Sequence, residues 1–166
     1  MNDPTCQCEA VSHSEIGPVD DAEPLVRVIT DNHVRPNLKL KPTAFSLSDI
    51  QTDGFSLIRW SFVTVAEFSQ IADNIRVRGK AKQVVGALLA KTDDIRVHLN
   101  DDGSKCFCVI DDPVLGEEGL IDNPAHAIAL SSIEIDRIDA KELRDLLLGC
   151  FSKANYINDL PHEAAI

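Results

Sequence analysis

The sequence predicts an α+β domain, in which a mixed or antiparallel sheet of about five strands, with a central hairpin, carries two packed helices. Three observations lead there. Short apolar, β-branched segments recur at strand length, two segments carry helix caps followed by an apolar stripe, and the order of these segments is not a regular strand–helix alternation.

The elements follow in chain order. Residues 1–23 hold six acids and no base, lack apolar periodicity and mix Pro, Gly and Ser, so they read as a disordered acidic tail. LVRVIT, from Leu25 to Thr30, is a strand, and the polar DNHVRPNLKLKPT after it holds two prolines that oppose a helix. The Asp53-Gly54 turn opens a second strand, FSLIRW. Thr64 with Glu67 makes a capping box, and Val65, Phe68, Ile71, Ala72 and Ile75 form one helical stripe ending near Arg76. VVGALLA is a buried strand. IRVHLN and KCFCVID flank the Asp101-Asp102-Gly103 turn as the central hairpin, with Ile95, Val97, Leu99, Phe107 and Val109 on one face. A long acidic loop precedes the strand AIALS, and Asp139 with Glu142 caps a last helix bearing Leu143, Leu146, Leu147, Cys150 and Phe151. The domain is expected to span residues 24–155, with a flexible tail over 156–166.

At 166 residues one core is the default, and with six Phe, one Trp and one Tyr that core is mostly aliphatic. No apolar run reaches the roughly 20 residues that cross a bilayer, and the start is acidic where a signal peptide is basic. Five cysteines is an odd count, and Cys6/Cys8 and Cys106/Cys108 are too close to bridge internally. Reduced thiols in a cytoplasm are therefore expected. The net charge of −11 disfavours nucleic acid and anionic membranes, yet residues 24–82 hold nine Lys/Arg against five acids.

Four groups of residues could carry chemistry. In the expected hairpin, His98 faces Cys106 and Cys108 on the outer face, and Cys6, Cys8 and His13 could add zinc ligands from the tail. Against this, the spacing is C-x-C, and Cys is often a plain buried residue. Asp112 and His126 lie in acidic segments at strand ends, where a hydrolase places acid and base, although Asp and Asn before Pro also serve turns alone. Arg76, Arg78, Lys80 and Lys82 form a cationic run suited to phosphates, or simply complement the helix dipole there. No aromatic platform accompanies that run, so single-stranded nucleic acid is disfavoured.

The fourth group is an order of residues. Arg27 in the first strand, Ser56 and Arg59 in the second, a helix, and Glu134 late in the chain resemble the layout of ADP-ribosyltransferases over residues 24–135. The resemblance implies that Arg27 would hold dinucleotide phosphates, with Ser56 beside it and Glu134 orienting the ribose. The segments LVRVIT, AFSLSD, FSLIRW and DNPAHA also look like those of uncharacterised bacterial proteins. Walker, G-x-G-x-x-G, H-E-x-x-H and nucleophile-elbow patterns are absent, so no cofactor is named. The first expectation for function is a protein-interaction or accessory domain that binds a protein partner. The alternative is a small nucleotide-handling or hydrolytic enzyme using Arg27, Ser56, Arg59, Asp112 and His126.

Overall fold

The computed structural model describes residues 7–132 and 140–151 of the chain. Five strands, β1 (Pro24–Thr30), β2 (Phe55–Arg59), β3 (Val84–Lys91), β4 (Phe107–Asp111) and β5 (His126–Ser131), form one sheet in the order β3-β1-β2-β5-β4. Every neighbouring pair is antiparallel, which makes this an α+β fold. The helices are α1 (Val65–Arg78), the short α2 (Thr92–Arg96) and α3 (Ala140–Gly149).

Both faces of the sheet are apolar, and the strand alternation assigns each residue to one of them. Leu25, Ile29, Phe55, Leu57, Phe107, Val109, Ala127 and Ala129 pack with Phe45, Ile50 and with Leu143 and Leu147 of α3. Phe45 stacks on Phe55 at 4.7 Å between centroids, and Phe151 meets both edge-on. On the opposite face Val26, Val28, Ile58 and Ala87 pack against Phe68, Ile71 and Ala72 of α1, with Trp60 edge-on to Phe68. Fully burying a side chain of Phe68's size stabilises by about 1.5–3 kcal/mol, which is what fastens α1 to the sheet.

The capping box of α1 forms as its sequence requires. The Thr64 hydroxyl accepts from the Glu67 N–H, and the Glu67 carboxylate accepts from the Thr64 N–H at 2.7 Å. The helix runs two residues past Arg76 and closes on Gly79. Gly54, with φ of 89°, starts β2 in the left-handed region, and a Cβ there would lie 2.7 Å from Ile128. That close approach lets β2 and β5 pair directly after the turn.

Two expectations change. Residues 9–23 are not a free tail: Val19 is buried in the core, and the buried Glu9 carboxylate accepts from the Val109 N–H, Arg96 and Lys105. The segment is held by ionic and hydrogen-bond partners far along the chain, which a search for apolar periodicity does not register. The first arm of the expected hairpin is also different. Ile95 and Arg96 belong to α2, and only a single bridge, Leu99 to Lys105, precedes β4, leaving Val97 and Leu99 exposed. Acids in the first turn favour the helix, and Arg96 is clamped by Glu9, Asp21 and the carbonyls of Val19 and Val109. The cap proposed at Asp139 and the tail over 156–166 lie outside the described residues.

Candidate functional site

On the α1 face, α1 covers the β3, β1 and β2 side and leaves the β2–β5 surface open. The two strands pair with Ser56 opposite Ile128 and Ile58 opposite His126, so Ser56 and His126 are diagonal neighbours on one face. Their side chains meet: Ser56 Oγ lies 2.6 Å from His126 Nε2. The far ring nitrogen, Nδ1, is 2.5 Å from the Asp112 carbonyl oxygen and 3.2 Å from Asp112 Oδ2. Both neighbours of Nδ1 are acceptors, so the bonding network places the ring proton there. Nε2 is then the acceptor and the Ser56 hydroxyl the donor. The Asp112 N–H donates back to the His126 carbonyl, which fixes the carboxylate's residue against the ring it faces.

Asp112's carboxyl is held below the usual carboxylate range, first by the hydrogen bond from His126 and then by the charges of His126 and His13, against a burial penalty. The array is therefore a hydroxyl, an oriented imidazole and an ionised carboxylate in series. It lines a groove of about 530 Å³ whose floor is β2 and β5 and whose walls are α1, through Ile71, Asn74, Ile75 and Arg78, and the loop carrying Val114, Glu117 and Ile121. Asn74 bridges the walls by donating to the Gly119 carbonyl. The buried Asn123 Oδ1, also in this lining, has no partner among the described residues.

A second lobe of about 610 Å³ shares Asp49, Ser56, Ile58, Ile75 and Arg78 with the first and continues to Arg27, Thr30, Asn32 and His33. Arg27 Nη1 donates to the Ser56 carbonyl at 3.0 Å, and its guanidinium lies 4.3 Å over the Phe55 ring. Burial pushes Arg27 down to about 10, against the pull of Asp49, so it stays charged at neutral pH. Burial, with Arg27 and Lys41 nearby, pushes His33 down to about 4, so it is neutral there. His33 Nδ1 accepts from the Thr30 N–H, which leaves the proton on Nε2.

The structure thus brings Ser56, Asp112 and His126 into contact and lays Arg27 beside them. Arg59, on the sheet face that Arg27 also takes by strand alternation, stands apart from the array, buried and bonded through Nε and Nη2 to Glu23, and through Nη1 to Asp111 and the Gly17 carbonyl. It is a structural ion-pair centre. The cationic run does not act as a unit. Arg76 pairs with Asp73, Lys80 and Lys82 are exposed at the turn after α1, and Arg78 alone lines the groove. Residues two apart on a helix point about 200° apart, so a period that would align them on a strand splits Arg76 from Arg78.

The zinc reading loses its ligands. Cys106 is a buried free thiol of the core, Cys108 is disulfide-bonded, and His98 lies in a surface depression beside Glu142 and Asp145. No group of three or more metal-capable side chains occurs among the described residues, and Cys6 lies outside them. The disulfide also overturns the expectation of reduced thiols at Cys108. Glu134, the glutamate of the transferase layout, lies outside the described residues as well. No helix among the described residues is long and apolar enough to cross a membrane.

Asp49 and His33 line the cavity; His33 sits in the segment that reads as polar connection, and Asp49 ends AFSLSD, for which the sequence predicts no element. His33 follows the end of β1 by three residues and Asp49 precedes β2 by six, and neither position carries a motif. In comparisons with known proteins, no family model, no curated protein and no solved structure matches this chain.

Proposed function

We propose that the groove is the active site of a serine-dependent hydrolase acting on an acyl or ester bond. One observation carries the reading: Ser56 Oγ, the His126 ring and the Asp112 carboxylate are in series, at 2.6 Å and 3.2 Å, within a recess of substrate size. A surface that only docks a partner gains nothing from a hydroxyl aimed at an oriented imidazole. The hydrolytic alternative is therefore favoured over the accessory-domain expectation.

The chemistry follows from the proton positions. Ser56 Oγ attacks the substrate carbonyl carbon as its proton passes to His126 Nε2, and the imidazolium faces Asp112. Collapse of the tetrahedral intermediate breaks the bond to the leaving group, which takes the proton from Nε2. Water then attacks the acyl-Ser56 carbonyl, gives its proton to Nε2, and the acid leaves as Ser56 Oγ recovers that proton. Asp112 keeps the ring in the tautomer that accepts from Ser56.

Turnover of a panel of p-nitrophenyl esters by the full chain and by Ser56→Ala tests this. By analogy with other Ser-His-Asp sites, the variant is expected to lose about 10⁶ in kcat. Equal turnover by both proteins would remove Ser56 from the chemistry.

A further inference from the structure

The second lobe has features that the Ser-His-Asp array does not explain. β1 and β2 pair only at Leu25 with Arg59 and Val26 with Ile58. Beyond that point the Arg27 guanidinium takes the Ser56 carbonyl that a continuing strand would have bonded. Arg27 and Arg59 can then be compared as two arginines of one sheet. Arg59 has every nitrogen bonded to protein acceptors. Arg27, with only 13% of its side chain exposed, has one hydrogen bond among the described residues; Nε has no partner among them, and Nη2 lies 3.7 Å from Asp49, beyond hydrogen-bond reach.

An incompletely bonded buried guanidinium is costly unless something else supplies acceptors. What adjoins Arg27 is a cavity of about 610 Å³. Two further donors line it: the exposed Arg78, and His33, whose Nδ1 is occupied by the Thr30 N–H so that Nε2 carries its proton. The guanidinium lies 4.3 Å over the Phe55 ring, and its planar fork suits a two-oxygen acceptor.

We infer that this lobe is an oxyanion subsite, in which Arg27, with Arg78 and His33, holds a phosphate or carboxylate group of the substrate while the scissile bond lies over Ser56. The substrate class is then an anionic ester. The assignment of the anion to a substrate rests on the hydrolytic reading; the existence of the subsite does not.

The test is titration of the full chain with inorganic phosphate and, separately, with acetate, followed by NMR, alongside ester turnover. Saturable binding of either anion is expected, and the tighter of the two identifies the group. Arg27→Lys, which keeps the charge and loses the planar fork, is expected to weaken it about tenfold or more. Arg78→Met, at an exposed position that leaves the core intact, is expected to weaken it less, and Arg35→Met, outside the lobe, not at all. Lack of saturable binding, or equal weakening by Arg27→Lys and Arg35→Met, overturns the subsite even if Ser56 turns over esters. Arg27-dependent binding without Ser56-dependent turnover keeps the subsite and overturns the hydrolase.

Discussion

Arg27 and Arg59 occupy neighbouring strands, and their roles are set by what surrounds the guanidinium. Glu23 and Asp111 saturate Arg59, while Arg27 faces a cavity. Nothing within LVRVIT or FSLIRW separates the two, because the partners of Arg59 come from residues 17–23 and from residue 111. Asp112 and His126 were legible as ionisable residues in strand-end segments, and Ser56 as a nucleophilic residue within the second strand. Their contact was not, since it depends on the β2–β5 register. His33 gives a pH dependence at this scale. Its folded value of about 4 lies below its ordinary 6.5, so between those values the unfolded chain binds a proton that the folded chain does not. Stability is therefore full above about pH 6.5 and declines toward pH 4. Asp31 and Glu67, both depressed by hydrogen bonds to their carboxylates, contribute stability that is lost only at lower pH. Thermal unfolding between pH 7 and 4 should show this fall, and His33→Gln should flatten it.

At the scale of elements, local signals decided which structures form and distant ones decided where they went. α1 was legible from its cap and stripe because both lie within a few residues of chain. The expected hairpin arm over residues 95–99 shows the opposite case, since its alternation is a fair strand pattern. The chain instead coils as α2 so that Arg96 can reach Glu9, Asp21 and two backbone carbonyls. The N-terminal segment is the other half of that clamp. It also bonds Asp111 through the N–H groups of His13 and Ser14, one residue before the carboxylate that faces His126. Glu9→Ala would remove the acceptor of Lys105 and of the buried Val109 N–H together with one of the partners of Arg96. A loss of about 3–5 kcal/mol in urea unfolding is expected, in keeping with the removal of one partner from a buried ion pair.

For the whole molecule, the five-stranded α+β plan was legible because both sheet faces are apolar and the strands are short and β-branched. The strand order β3-β1-β2-β5-β4 was not, and it is this order that sets β2 beside β5 and opens a groove where α1 stops. The charge asymmetry also acquires a physical meaning. Acids of the N-terminal segment pair with Arg59, Arg96 and Lys105, so the segment that looked like a solvated arm is part of the ionic framework. The basic middle of the chain leaves Arg27 and Arg78 lining the cavity beside Ser56. The most direct measurement of the hydrolytic assignment is intact-mass and peptide mapping after treatment with a fluorophosphonate. Stoichiometric modification at Ser56 that disappears in Ser56→Ala and slows strongly in His126→Asn is the expected result. A wild-type chain that stays unmodified, or carries the label at a different residue, would contradict the account.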